Sequence, residues 1–410
     1  SPKVLIPQML LLEICLAISL LTWIYLWCGR DTFWSTAISL PAATDLPPDS
    51  EAWPAVQVVV PARDEASMLP ATLPTLLEQR YPGEFHIFLV DDQSRDGTAD
   101  VARRIASRSD SSARMTVVEN AAGPPEGWSG KLWALEQGLR AGSAQGAPFL
   151  LFADADIAHP EDSLKNLVTA ALGHDLDLVS LMASLKADTF WARLLLPAFV
   201  YFFAMLYPFA RVNRPSARTA AAAGGCVLLR REAFERAGGL PPIAGALIDD
   251  CSLGRLIKEK GREGGGRIWL GLGRDLLSLR NSESLADVWR MVRRTAFVQL
   301  RYSNLLLAGT LAGMTIIFLL PAAALPASAL LLAYCSGAAA SMGVLATGLA
   351  AWGLMYRTYL PMSKWYGQPQ RFALALPLSA LLFTLMTLDS AWCFWRKRGG
   401  SWKGRTYRSQ

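Results

Sequence analysis

Apolar residues run almost unbroken from residue 4 to residue 27, interrupted by Glu13 and a few small polar groups. That length is enough for a helix to cross a hydrocarbon core of about 30 Å. Only Lys3 precedes the run as a charge, and the run is too long for a secretory leader. Although Pro41-Ala42-Ala43 resembles a processing site, residues 1–30 are therefore expected to be an uncleaved anchor. A Pro-rich linker over 31–54 follows. The pattern then changes to short β-branched runs alternating with helical ones: 56–60 and 66–79, 86–90 and 98–107, 115–118 and 131–141, 149–152 and 161–172. This βαβ rhythm predicts an α/β domain over 55–303, with a mostly parallel, Rossmann-like sheet covered by helices on both faces.

Past that domain, residues 305–325, 327–355 and 372–395 are each apolar and long enough to span. They predict a C-terminal transmembrane region over 304–396, of about three segments, and a basic tail over 397–410. Pro321, Pro326 and Pro377 interrupt these runs, so buried half-helices are an alternative to full spans. Arg30, the arginines of 290–301 and the tail all favour the cytoplasmic side, yet three full spans would carry the tail across. Either one segment is re-entrant or the spans number one fewer or one more. Within the domain, Phe190–Val212 is also apolar, but it contains Pro197 and Pro208 and has Arg193 and Arg211 near its edges. It is expected to lie in the membrane interface, as is 284–302, with a buried core helix as the alternative for the first.

Composition agrees with this division. Hydrophobic residues make up 52% of the 410 and charged residues 18%, with mean hydropathy +0.25, whereas about a quarter of a soluble domain is charged. A wholly soluble, disordered or collagen-like chain is excluded. The six cysteines are scattered without a CxxC pair, so free thiols are expected and not a disulfide framework. His86, His159 and His174 are far apart, which disfavours a His/Cys zinc site and leaves oxygen ligands for any metal. The net charge of +6 gathers beside apolar runs, as at Arg396-Lys397-Arg398, which points to a membrane surface and not to nucleic acid.

Parallel sheets bind ligands at the carboxyl ends of their strands, and acids stand there in this chain. Asp64-Glu65 follow the first strand, Asp91-Asp92 the second and Asp154-Ala155-Asp156 the fourth. No G-x-G-x-x-G follows the first strand and no GxxxxGK[ST] occurs, which argues against a dinucleotide or P-loop site. A D-x-D can instead hold one divalent cation with positions open for diphosphate oxygens, the chemistry of a nucleoside diphosphate. Solvated loop acids capping the helix after Pro160 are the plainer alternative. Gly130-Lys131 opens a helix and offers an ammonium with free N–H groups to a diphosphate. Gly224-Gly225-Cys226 permits close backbone approach to a ligand. Asp249-Asp250 opens another helix, where one acid serves as an N-cap and the second is free to act as a base.

In order, Val59-Val60-Pro61-Ala62-Arg63-Asp64-Glu65, Val90-Asp91-Asp92-Gln93-Ser94-Arg95-Asp96-Gly97-Thr98, Asp154-Ala155-Asp156, Gly224-Gly225-Cys226 with Arg230-Arg231, and Asp249-Asp250 resemble the motifs of membrane-bound family 2 glycosyltransferases with a GT-A fold. Finer features resemble the hopanoid-associated, HpnB-type branch. They are Trp128-Ser129-Gly130-Lys131-Leu132-Trp133, Val212-Asn213-Arg214-Pro215, Ala246-Leu247-Ile248-Asp249-Asp250-Cys251, the stretch Arg294 to Ser303, and Trp402-Lys403-Gly404-Arg405-Thr406-Tyr407.

The resemblance implies that Pro61, Arg63, Glu65, Asp91, Asp92, Ser94, Lys131, Asp154, Arg294 and Arg301 bind a nucleotide sugar, UDP-linked by preference. It implies that Asp154 and Asp156 hold Mg²⁺ or Mn²⁺, that Asp250 is the general base with Asp249 beside it, and that Gly224, Gly225 and Cys226 lie toward the acceptor. One departure stands out: Gln299-Leu300-Arg301-Tyr302 is a residue short of the Q-x-x-R-W of polysaccharide synthases and ends in tyrosine. The function implied is inverting sugar transfer to a membrane lipid hydroxyl, a hopanoid or related isoprenoid, by a multi-pass protein of a bacterial inner membrane with its catalytic domain in the cytoplasm. The alternatives are another acceptor (carotenoid, ceramide, polyprenyl phosphate or a growing polysaccharide) and a non-catalytic nucleotide-sugar-binding scaffold.

Overall fold

The computed structural model describes residues 2–41, 53–108, 112–120, 122–280, 282–335, 338–396, 401–402 and 405–406. Residues 42–52 of the expected linker, and 397–400, 403–404 and 407–410 of the expected tail, lie outside them. The chain divides into two compact units. One comprises Ser1–Thr36, Ala187–Pro208 and Ser282–Arg398, the other Ala37–Lys186, Phe209–Asn281 and Gly399–Gln410.

The second unit is α/β. Its strands are β1 (Val56–Ala62), β2 (Phe85–Asp91), β3 (Met115–Glu119), β4 (Phe149–Ala153), β5 (Ile157–Ala158), β6 (Leu178–Leu185), β7 (Cys226–Arg230) and β8 (Ile268–Ser278). They form one eight-stranded sheet in the order β3-β2-β1-β4-β7-β6-β8-β5. The pairs β1–β2, β2–β3, β1–β4 and β6–β8 are parallel, while β7 runs against β4 and β6, and β5 against β8. Every residue of β1 and of β4 is buried, because helices cover both faces of the sheet and such strands read as continuous apolar runs. Val58, Val60, Ile87, Leu89, Leu151 and Val179 lie in its core. The antiparallel β7 matters most for the site. With Ala153 opposite Cys226, its amino end lies at the same sheet edge as the carboxyl end of β4.

The first unit is helical. It holds Pro2–Cys28, Phe190–Leu206, Leu285–Gln299, Ala338–Trp365 and Leu376–Trp395. It also holds a helix that starts at Asn304–Met314 and continues through a π turn, Thr315–Leu319, into Leu320–Cys335. The helix therefore runs through Pro321 and Pro326, and the segment expected over 305–325 continues to Cys335. The Ile317 carbonyl in the π turn accepts from Trp23 Nε1 at 2.8 Å and Ser19 Oγ at 3.1 Å, so side chains of the first helix satisfy a backbone group that the wider turn leaves open. Among the described residues, four helices are long and apolar enough to cross a membrane: Met9–Cys28, Phe190–Val212, Asn304–Ala333 and Leu376–Trp395. The segment expected at the interface, Phe190–Leu206, packs against Ala338–Trp365, Leu376–Trp395 and Leu285–Gln299. Its Tyr201 hydroxyl bonds Thr358 Oγ1 at 2.8 Å inside that unit.

Candidate active site

The loops after β1 and β2 are tied together by their own side chains. Asp64, at φ 50°, belongs to one of the few residue types that enter the left-handed region without great cost. There its carboxylate accepts from Arg95 N at 2.8 Å, and its own N–H donates to Ser94 Oγ at 2.9 Å. Asp96 accepts from Ala66 N at 2.9 Å, and Glu65 N donates to Thr98 Oγ1 at 2.9 Å. Ser94 donates to Asp91 Oδ1 through its hydroxyl, and through its N–H at 3.3 Å. Burial pushes the Asp91 carboxyl above the ordinary range.

Asp92 departs from its expected role. It is fully buried, and it is met by Arg63 at 3.4 Å and Asn120 Nδ2 at 3.2 Å. Arg63 also donates to the Asp92 carbonyl at 2.6 Å. Asp92 and Arg63 therefore brace the two loops against each other, since a carboxylate without exposure cannot be a surface that a nucleotide touches.

The D-x-D lies between β4 and the short β5. Thr72 Oγ1 donates to the Ala155 carbonyl at 2.6 Å, and Asp154 N donates to the Gly225 carbonyl at 3.2 Å, so both sides of the turn are fixed. These acids do not cap the next helix, which starts at Ser163 after Asp162. Lys131, in the first turn of Gly130–Ala141 behind its N-cap Ser129, places Nζ 2.9 Å from Asp154 Oδ1 and 3.2 Å from Asp249 Oδ2. Asp156 is 5% exposed. Its Oδ2 accepts from Ser278 Oγ at 3.0 Å and pairs with Arg280 Nε at 3.1 Å. Arg280 also reaches Glu65 at 3.6 Å.

The second acid pair opens the helix Asp249–Lys260, but neither acid is its cap. The N-cap is Ile248, with no side-chain bond. Asp250 instead accepts from Gly224 N at 3.0 Å and from Cys251 N at 2.7 Å. Close backbone approach makes this possible, because a Cβ at Gly254 would stand 2.7 Å from the Ala221 carbonyl carbon. The helix is also fixed by Lys258, whose Nζ donates to the carbonyls of Val212, Arg214 and Thr219 at 2.6, 3.1 and 2.8 Å. Burial lowers the Lys258 ammonium to about 8.

Lys131, Asp154, Asp249, Asp250, Gly224 and Pro61 line one small cavity at this sheet edge. Burial, reinforced by Asp249, pushes the Asp250 carboxyl up to about 6, against the pull of Lys131 and two N–H donors. Asp154 is raised by burial and by Asp156, and lowered in part by Lys131. Burial opposes the charge on Lys131, but Asp154 and Asp249 outweigh it and hold the ammonium above its usual range. Among the described residues no group of three or more His, Cys, Asp or Glu could hold a metal ion. Two carboxylates from a D-x-D nevertheless fit a hard cation that takes its other ligands from water and substrate phosphates.

Residues 54–264, about half of the chain, match the model described as glycosyltransferase like family 2. The chain belongs to glycosyltransferase family 2. It is thus a nucleotide-sugar glycosyltransferase with a GT-A-like sheet and apolar helices on both sides of it in sequence. This glycosyltransferase is similar to the mannosyltransferase PcManGT from Pyrobaculum calidifontis, solved in complex with GDP-Man and Mn²⁺. Identity is 22%, coverage 92% of this chain and 99% of that one, and the TM-score 0.54, a likeness that shows the fold. S. aureus TarS 1-349 in complex with UDP matches at 15% identity over 79% of this chain and 90% of that one, with a TM-score of 0.36. No curated protein sequence matches.

In this family 2 enzyme, the remaining expected site residues fall in different surroundings. Arg294 and Arg301 belong to the helical unit, where Arg301 and Tyr302 take φ of 52° and 55° and Gln299 Nε2 donates to the Tyr207 hydroxyl at 2.6 Å. Cys226 is fully buried in the sheet core, and burial pushes its thiol up to about 12. Its side chain is closed off from solvent, whereas Gly224 and Gly225 before it are half-buried. Arg280 and Ser278 were missed. They lie at and just past the end of β8 in no recognisable motif, and only the antiparallel pairing of β5 with Leu277 and Ser278 brings them to Asp156.

Proposed function

We propose that this enzyme transfers a sugar, with inversion, from a nucleoside diphosphate sugar to the hydroxyl of a membrane lipid. The observation that carries the reading is Asp250: a carboxylate held by two backbone N–H groups and raised to about 6, beside the Lys131, Asp154 and Asp249 cluster. A base with that pKa is mostly deprotonated near pH 7 yet still basic enough to take a proton in the transition state. Asp250 accepts the acceptor's hydroxyl proton while that oxygen attacks C1, and the bond from C1 to the diphosphate oxygen breaks. Single displacement inverts the anomeric carbon. Lys131 faces the charge left on the diphosphate. A divalent cation, Mg²⁺ or Mn²⁺, held by Asp154 and Asp156 would neutralise that charge further. Glu65, Asp91 and Ser94, on the loops tied together at the ends of β1 and β2, are assigned to the nucleoside.

Four span-capable helices in the same chain support an acceptor drawn from the bilayer. The lipid class, a hopanoid or related isoprenoid alcohol, and the placement in a bacterial inner membrane with the α/β unit cytoplasmic, rest on the sequence resemblance. The test uses the full chain in nanodiscs with Mg²⁺ or Mn²⁺, a panel of UDP- and GDP-sugars, and hopanoid or polyprenyl lipids, with products read by mass spectrometry. The expected result is a glycosylated lipid that disappears in Asp250→Asn. Metal-dependent nucleotide binding without product from any of these lipids would overturn the acceptor assignment, and product formation by Asp250→Asn would remove Asp250 as the base.

A further inference from the structure

Each carboxylate of the D-x-D already has a basic partner. Asp154 has Lys131, which is 19% exposed and shared with Asp249. Asp156 has Arg280, which differs from Lys131 in exposure. Its side chain is 50% exposed although its partner is buried, and like Lys131 it approaches a second acid, here Glu65 at 3.6 Å. Its ion pairs with these two carboxylates run through Nε and Nη2, and Asp154 adds to the negative field around it. Asp156 Oδ2 is thus met both by a guanidinium at 3.1 Å and by the Ser278 hydroxyl at 3.0 Å.

A divalent cation on Asp156 would lie within a few ångströms of that guanidinium, and the two positive charges repel each other there. The planar fork of arginine matches phosphate oxygens as well as it matches carboxylate. The half-exposed chain therefore has an alternative partner as soon as a diphosphate lies against the D-x-D. The geometry points to Arg280 as a donor-binding residue that pairs with Asp156 when the site lacks its ligand and exchanges that carboxylate for the donor's diphosphate when the cation binds. The inference rests on the nucleotide-sugar reading proposed above and adds to it a residue and an order of contacts.

The exchange gives the two ligands opposite responses, which a merely structural arginine would not. In the full chain, Mn²⁺ binding is measured calorimetrically without nucleotide, and UDP and GDP binding at saturating Mn²⁺, for wild type, Arg280→Ala and Arg280→Gln, with UMP and GMP as controls. Removing the competing charge should tighten Mn²⁺ by about three- to tenfold. Removing the charge-assisted bonds should weaken the diphosphates by about tenfold or more, with the monophosphates changed far less. Either variant showing this pair of opposite shifts supports the exchange. Mn²⁺ and diphosphate weakening together, with a lowered Tm, would make Arg280 a structural brace and overturn it, as would unchanged diphosphate affinity. A wild-type chain that binds neither UDP nor GDP with Mn²⁺ would instead sink the donor reading itself, so the two failures are separable.

Discussion

The α/β unit carries two clusters of acids and bases, at opposite edges of one sheet, and they are balanced differently. At the amino end of β6, Asp175 and Asp177 are surrounded by Arg230, Arg262 and Arg267. The Arg262 guanidinium holds the Asp175 carboxyl below its usual range, so Asp175 is favoured in its charged form. At the other edge, Glu65, Asp154, Asp156, Asp249 and Asp250 share Lys131 and Arg280, and Asp154 and Asp250 are pushed upward. Acids outnumber bases there, and burial adds to the imbalance. The first cluster fastens strands together. The second keeps an electrostatic deficit that a cation and a proton-donating hydroxyl can relieve, and such a deficit marks a functional site more reliably than the number of acids does.

Mirrored substitutions break this comparison if it is wrong. The largest effect is expected at the deficient edge: Asp250→Asn should lower turnover by about a thousandfold or more, the scale of losing a general base, while UDP or GDP binding persists. Asp154→Asn should abolish metal-dependent donor binding yet leave Tm unchanged or raised, since an acid whose folded pKa is raised is destabilising when ionised. With Asp250 at about 6, the base is protonated and inactive below that pH. The kcat/KM of wild type should therefore rise through about pH 6 and level off above it. A flat profile between pH 5 and pH 8 would assign the proton transfer to another group.

Most of this edge was legible because its signals are local. Fully buried parallel strands give the apolar runs of β1 and β4, and the carboxyl-end rule turns Asp64-Glu65, Asp91-Asp92 and Asp154-Ala155-Asp156 into neighbours before any coordinates exist. What stayed hidden depends on partners distant in sequence. Asp92 reads like a ligand-facing acid, yet Arg63 and Asn120 close over it. Cys226 follows two glycines that approach the site, but strand alternation turns it into the core. Arg280 has no motif at all. Pro326 stood between two expected segments, whereas the helix runs through it to Cys335 after a π turn.

At the balanced edge the expectation is reversed. Asp177 is 1% exposed and accepts from Arg262 Nε at 2.8 Å and Arg267 N at 2.9 Å. Asp177→Ala leaves those donors unmatched and should cost about 3 kcal/mol, the scale of breaking a buried pair, with turnover per folded molecule unchanged. Thermal unfolding in detergent and activity normalised to folded protein check both halves. A loss of turnover at full stability would couple the two edges and erase the contrast between them.

The smallest effect is expected at Gly224, and it sharpens how tightly the deficient edge is built. A Cβ there would stand 3.1 Å from Lys131 Nζ and 3.4 Å from Asp250 Cβ. The first contact is the end of a flexible chain, which can shift by a few tenths of an ångström, and the second is ordinary packing. Gly224→Ala should therefore fold with stability changed by about 1 kcal/mol or less. The shift moves the ammonium relative to Asp154 and Asp249, so turnover should fall by about two- to tenfold, because misplacing a charged group within an active site is felt in rate before stability. The loss should appear in kcat more than in donor KM, since Asp250 takes its bond from the Gly224 N–H, which alanine keeps. An unchanged kcat would mean that the cavity has slack around Lys131. A loss beyond a hundredfold would mean that the missing side chain at Gly224 is space an acceptor occupies.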